Sequence, residues 1–210
     1  MPSGLADHFA LAEPGGKVRD PETVFSHQMP GAADVSFLQD ALKMTVSASI
    51  EGDELLVQVD LFNDNTGHHI PTDSPLRHMI LIVQAFDAQG KPLTQTSGPV
   101  IPDWAGIGDP ADGYYAGLPG TIYAKVLEEL WTGVSPSGAY WNHTRVVSDN
   151  RIAAMATDST EYTFSSLKSS AVRVEIQLFY RRAFNELMDQ KGWDVPDILM
   201  AQESIEVVEE

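Results

Sequence analysis

Between Asn63 and His78 the chain reads NDNTGHHIPTDSPLRH, sixteen residues that hold three of its six histidines, two prolines and an arginine. Imidazole is the commonest neutral metal ligand and the usual axial ligand of haem iron. His68, His69 and His78 are therefore candidates for a haem or metal site, with His27 and His143 as candidates outside the stretch. His68 and His69 are adjacent, so on an extended chain they face opposite ways and can share one metal only if the chain turns. The helical His-Glu-x-x-His zinc spacing is absent. The competing reading is that His68 bonds to turn backbone and shapes the loop. A metal set of His68, His69, Asp73 and Asp149 would offer imidazole and carboxylate to calcium or a transition metal, although no twelve-residue calcium loop is present.

A second polar knot is Ser148-Asp149-Asn150-Arg151-Ile152. The planar fork of Arg151 suits a carboxylate, and the expected role is a structural ion pair drawing on Arg77, Asp149 and Arg151. A ligand carboxylate is the alternative. No Gly-x-Ser-x-Gly elbow exists, and no catalytic residue is assigned. The aromatic stretch from Trp104 to Tyr115 keeps a carbohydrate-binding or hydrolytic sandwich as a third reading.

These residues need strands to hold them. Met44 to Ile50 and Glu54 to Phe62 alternate apolar and polar residues around Glu51-Gly52-Asp53, the pattern of a hairpin. Met79 to Phe86 is continuously apolar and reads as a central strand. Asp87-Ala88-Gln89-Gly90 turns the chain into a return strand from Lys91 to Thr96. Pro99 to Gly120 is a long loop, of the kind that often carries function. Ile122 to Val126, Arg145 to Val147, Glu161 to Phe164, Ala171 to Tyr180 and Ser204 to Val208 read as further strands. Ser36 to Lys43 predicts a short helix or turn, Arg181 to Lys191 a helix ending at Gly192, and Pro196 to Met200 a helical turn. About seven or eight short strands predict an all-β, antiparallel, immunoglobulin-like sandwich with long loops and a short C-terminal helix. Residues 1–35, rich in Gly, Pro, Ala and Asp, predict an extended arm, and 36–210 the sandwich.

Apolar residues make up 43% of the 210, enough for a core, and the formal charge is −17. Such a surface repels nucleic acid and favours cationic partners or divalent ions. The chain contains no cysteine, which excludes disulfides, thiolate metal sites and Cys-x-x-Cys-His haem attachment. No run of about 18 apolar residues is present to form a membrane span. Met1 to Gly16 lacks the basic start and apolar centre of a signal peptide.

Gly67-His68-His69-Ile70-Pro71-Thr72-Asp73, followed by Pro75 and Arg77, resembles the Gly-His-(Lys/Arg)-apolar-Pro-Thr-Gly segment in the β-rich C-terminal domains of bacterial multihaem c-type cytochromes of the c554-related kind. Ser26 to Gly31 resembles their His-apolar-Pro-Gly segment. Asp149 to Ile152 resembles Asp-Thr-Arg-Ile, and Ala171 to Arg182 a late strand ending in Tyr-Arg-Arg. His69 and Asp73 depart from the pattern. The resemblance implies that β-domain without covalent haems, located outside the cytoplasm, as a piece of a larger cytochrome or a relative working beside one. It implies a non-catalytic role in electron transfer: docking, haem shielding, or supply of an axial imidazole from His27, His68 or His78 to haem held by a partner or an adjacent domain.

Overall fold

Apolar side chains at every second position make the first hairpin. Strand β1 (Lys43–Glu51) pairs with β2 (Glu54–Phe62) in a register that sets Glu51 against Glu54. Gly52, at φ 64°, supplies the left-handed residue that the tight turn needs. Leu55, Val57, Val59 and Leu61 of β2 are buried. The structure, a computed structural model, describes residues 16–24, 31–72, 74–165 and 171–208. It divides into two units, Met1–Asp34 and Val35–Glu210. In the first, a 3-10 turn at Pro21–Thr23 is capped by Asp20, whose carboxylate accepts from the Glu22 amide at 3.1 Å.

The second unit is an all-β antiparallel sandwich. One sheet runs β1-β2-β8-β4, with β4 at Gln95–Ser97 and β8 at Thr157–Ser165. The other runs β10-β9-β3-β5, with β3 at His78–Asp87, β5 at Gly120–Tyr123, β9 at Ala171–Arg181 and β10 at Ile198–Val208. A separate hairpin joins β6 (Lys125–Glu129) to β7 (Thr144–Asp149). Among the described residues it also carries two short α-helices, α1 (Val35–Gln39) and α2 (Asn185–Lys191).

The continuous apolar run of β3 has a cause: the strand is covered on both faces. Met79, Leu81, Val83 and Ala85 share one face with Tyr180, Leu178, Ile176 and Val174 of β9, and all are buried. Ile80 and Ile82, on the other face, pack under the long loop with Ile101, Ala105, Tyr115 and Ile122.

Several elements differ from the sequence expectation. The return strand after Gly90 forms only a bridge from Pro92 to Phe86, and the chain then crosses to the other sheet as β4. The strand expected over Ile122–Val126 breaks at Ala124, whose amide donates to Asn150 Oδ1 at 2.9 Å. Strand β8 begins at Thr157, four residues before the expected start at Glu161. Its polar start is tolerated because Asp158 accepts the Tyr123 hydroxyl at 2.8 Å. Arg181 stays in β9, so α2 starts at Asn185 and stops at left-handed Gly192. Pro196 to Met200 leads straight into β10 and forms no helical turn, since β9 offers it a strand to pair with.

Candidate functional site

The histidine loop is organised by Asn63, a residue with no solvent exposure just after β2. Its Nδ2 donates to the carbonyl oxygens of His68 at 2.9 Å and Ile152 at 3.0 Å. Its Oδ1 accepts from the Thr66 hydroxyl at 2.6 Å. The Ile70 amide donates to Ile152 O at 2.9 Å, and the Ile152 amide returns the bond at 3.0 Å. A polar loop at a sandwich end thus gains a one-residue bridge to the segment after β7, satisfying its backbone groups.

This framework turns both central imidazoles outward. His68 and His69 are exposed. The Nδ1 of His68 lies 3.0 Å from the His69 carbonyl oxygen. A carbonyl only accepts, so this contact calls for the proton on Nδ1, which in the neutral ring leaves the lone pair on Nε2. Ligating histidines are oriented by this kind of bond. Among the described residues, no three His, Asp or Glu side chains gather as a metal site requires. Asp73 and His27 lie outside the described residues. The four-residue set of His68, His69, Asp73 and Asp149 is therefore not assembled from its described members.

Asp149 faces Arg151 instead. Arg151 Nε donates to Oδ1 and Nη2 to Oδ2, each at 2.7 Å, a bidentate fork. The Arg151 hydrogen bonds, first among the causes, hold the Asp149 carboxyl below its usual range. Between them, Asn150 behaves as a strand residue made from a side chain: it accepts from Ala124 N and donates to Ile122 O at 2.7 Å. Arg77 is half-buried before β3, with its amide bonded to Ser74 O at 3.0 Å.

His78 is a core residue. It has no exposure, stacks on Phe184 at 5.3 Å and meets Trp104 edge-on at 5.4 Å. Its Nδ1 lies 3.0 Å from Leu76 O, and its buried Nε2 has no hydrogen-bond partner. Burial, reinforced by the charge of Arg181, pushes the imidazole down to about 4. An external haem iron cannot reach this ring while Trp104 and Phe184 stay packed, which corrects its place among the haem-ligand candidates.

Opposite His78 across the β3–β9 ladder is Arg181, only 2% exposed. Its Nε and Nη2 donate to the two oxygens of Asp197 at 2.8 and 2.6 Å. Its Nη1 reaches Ala105 O at 3.0 Å and Asn185 Oδ1, and Nη2 also reaches Gly113 O at 2.6 Å. This network ties the long loop, β9, α2 and the start of β10 together. Periodicity placed Arg181 at the head of a helix, while the family resemblance put it at the end of a strand, where it lies, without marking it as a site residue. The available signal was position: Arg181 continues the alternation of β9 onto the face opposite Tyr180.

The β6–β7 hairpin carries a further surface. Glu129 accepts from Thr132 at 2.7 Å, Ser137 at 2.8 Å and Asn142 at 2.8 Å, and these bonds, Thr132 first, keep its carboxyl below the usual range. Around that hub Trp131, Tyr140 and Trp141 are 76%, 92% and 72% exposed. They are not the loop-packing aromatics that their type suggests. His143 meets Trp131 edge-on at 5.0 Å. Gly138 lies so close to Leu76 that a Cβ there would collide, which sets the hairpin against the histidine loop.

No family model matches the chain, and no curated protein matches it. A solved structure does: the penta-heme cytochrome c552 from Thermochromatium tepidum, with TM-score 0.63 and 19% identity over 88% of this chain. The match spans 44% of the cytochrome, so this chain corresponds to less than half of its length. At this identity the likeness shows a shared fold. With no cysteine, the chain cannot hold haem by thioether bonds.

Proposed function

We propose that this chain is a non-catalytic β-sandwich module of extracytoplasmic electron transfer, which docks onto the haem-bearing part of a multihaem c-type cytochrome and offers it the His68 imidazole. The observation that carries the reading is the fold match over 88% of the chain to a penta-heme cytochrome. The segments that resemble the multihaem family add support because they meet in space. Gly67 to Ile70 is bridged to Ile152 of the Asp149–Ile152 segment. His78, at the end of the same loop, pairs with Arg181 at the end of β9.

The residues present fit non-covalent contact with haem. His68 is exposed, with Nδ1 tied to backbone and, in the neutral ring, Nε2 left as the lone-pair nitrogen. Haem held by the partner would supply the redox chemistry; the chain would offer it the His68 imidazole and the surface that holds the partner. The exposed Trp131, Tyr140 and Trp141 give that surface an apolar centre of the kind that marks protein interfaces. The −17 charge steers a partner with a basic face.

Sedimentation velocity with a multihaem c-type cytochrome from the same cell envelope tests the reading. A complex is expected at low salt, weakening as ionic strength passes about 0.15 M, where screening length falls to about 8 Å. Trp131→Ala combined with Trp141→Ala should weaken it further. Independent sedimentation of the two proteins at low salt would overturn the proposal.

A further inference from the structure

Beyond α2 and the Gly113 turn, a cleft of about 530 Å³ opens over the Arg181 network. That is within the ordinary size range for small-ligand sites. Its sides combine two kinds of group. Aromatic faces come from Tyr114, Tyr115 and Trp193, and carboxylates from Asp112, Asp189 and Asp194. Acids alone would be a solvated face. Here they rim a half-open cleft that aromatic side chains also line, and the two together make the standard recognition chemistry for an organic cation: charge-assisted hydrogen bonds plus attraction to a ring face.

The chain already applies this chemistry to a cation of its own. The Arg181 guanidinium lies 5.0 Å from the Tyr115 ring centroid and bonds both Asp197 oxygens. That pair neutralises itself and forms the floor. Arg181 is the one base among the lining residues, so Asp112, Asp189 and Asp194 remain as uncompensated charge above it. None of the three forms an ion pair among the described residues. They come from separate segments: the turn before Gly113, the end of α2, and the chain between α2 and β10. A cation in the volume would meet them from different sides. Tyr114 spans the opening, its hydroxyl 3.3 Å from both Asp189 oxygens. The Asp189 charge makes that phenol a weaker acid than an ordinary tyrosine.

We propose that this cleft binds an organic cation bearing primary ammonium or guanidinium groups, either a free polyamine or the basic side chains of a protein partner. The proposal goes beyond docking to a haem protein and does not rest on it.

Isothermal titration of the full chain at low salt tests it, with spermidine in one arm and a blocked hexapeptide of alternating lysine and arginine in the other. Saturable one-to-one binding in either arm is expected. Tighter binding of spermidine identifies a free polyamine, and tighter binding of the peptide identifies protein side chains. Asp189→Asn combined with Asp194→Asn should weaken the preferred probe by about tenfold or more, since each charge-assisted bond is among the stronger kinds. Trp193→Ala should weaken it as well. The control, Glu51→Gln combined with Glu54→Gln at the distant β1–β2 turn, removes the same charge and should change affinity less than about twofold. These are exposed positions, and unchanged thermal melting will show that each variant folds. Equal weakening by the cleft pair and the control pair would overturn the proposal, as would the absence of saturable binding to both probes.

Discussion

Asn63→Ala is the substitution that most directly probes how the histidine loop is held. It removes two donated bonds, to His68 O and Ile152 O, and two accepted ones, a short bond from the Thr66 hydroxyl and a longer one at 3.3 Å from the Thr66 amide. A typical intramolecular hydrogen bond contributes about 1 kcal/mol net, so the three shorter ones sum to about 3 kcal/mol. The loss is bounded because neither carbonyl is orphaned: Ile152 O still accepts the Ile70 amide, and His68 O still accepts the Thr66 hydroxyl at 2.9 Å. Urea unfolding at pH 7 and 25 °C measures it, with an unchanged slope showing that the surface exposed on unfolding is the same. Asn65→Ala is the comparison. That side chain also donates a 2.8 Å bond, to Asp40 O, but it is exposed and water replaces the partner, so the expected loss is under about 1 kcal/mol. An Asn63→Ala protein no less stable than the Asn65→Ala protein would refute the claim that Asn63 organises the loop.

Three further outcomes follow from the buried charges and bases. His78 is neutral when folded, with its imidazole pushed down to about 4 from an ordinary value near 6.5. Its contribution is therefore complete above pH 6.5 and is lost as pH falls toward 4, by about 3 kcal/mol in all. Urea midpoints at pH 7 and pH 4.5 should differ in the parent and converge in His78→Phe; an equal pH dependence in both would contradict this. Arg181→Met leaves Asp197 without its partner and the Ala105 carbonyl without its donor, and should cost about 3–5 kcal/mol, with part recovered on adding Asp197→Leu. A loss under about 1 kcal/mol would show that the network is not a stabilising junction. By contrast, Asp149→Asn breaks a fork whose side chains keep 32% and 19% of their exposure, and denaturation should register under about 1 kcal/mol.

The sandwich was legible because its strands carry their burial in their spelling. Leu55, Val57, Val59 and Leu61 alternate, and Val172, Val174, Ile176 and Leu178 do the same, so both central hairpin partners could be read directly. Strands that spend polar residues inward were harder. The Thr157–Glu161 half of β8 looks like a loop until Tyr123 is seen to meet Asp158. The return strand after Gly90 was placed in the wrong sheet because local pattern does not encode which edge a strand joins. The site was legible in its members and not in its grouping. Clustering in sequence brought His68, His69 and His78 into one set. In space, the loop turns the first two outward, while β3 draws the third beneath Trp104 and Phe184. Asn63, which organises the loop, carries no chemical signature, since a buried asparagine and a surface one are spelled alike.

Titration with ferric microperoxidase, a haem peptide with one open axial position, tests the role given to His68 most directly. The account predicts a saturable shift of the Soret band to a low-spin form, abolished in His68→Ala and retained in His78→Phe. No spectral change with the parent chain, or a shift that survives His68→Ala, would contradict it.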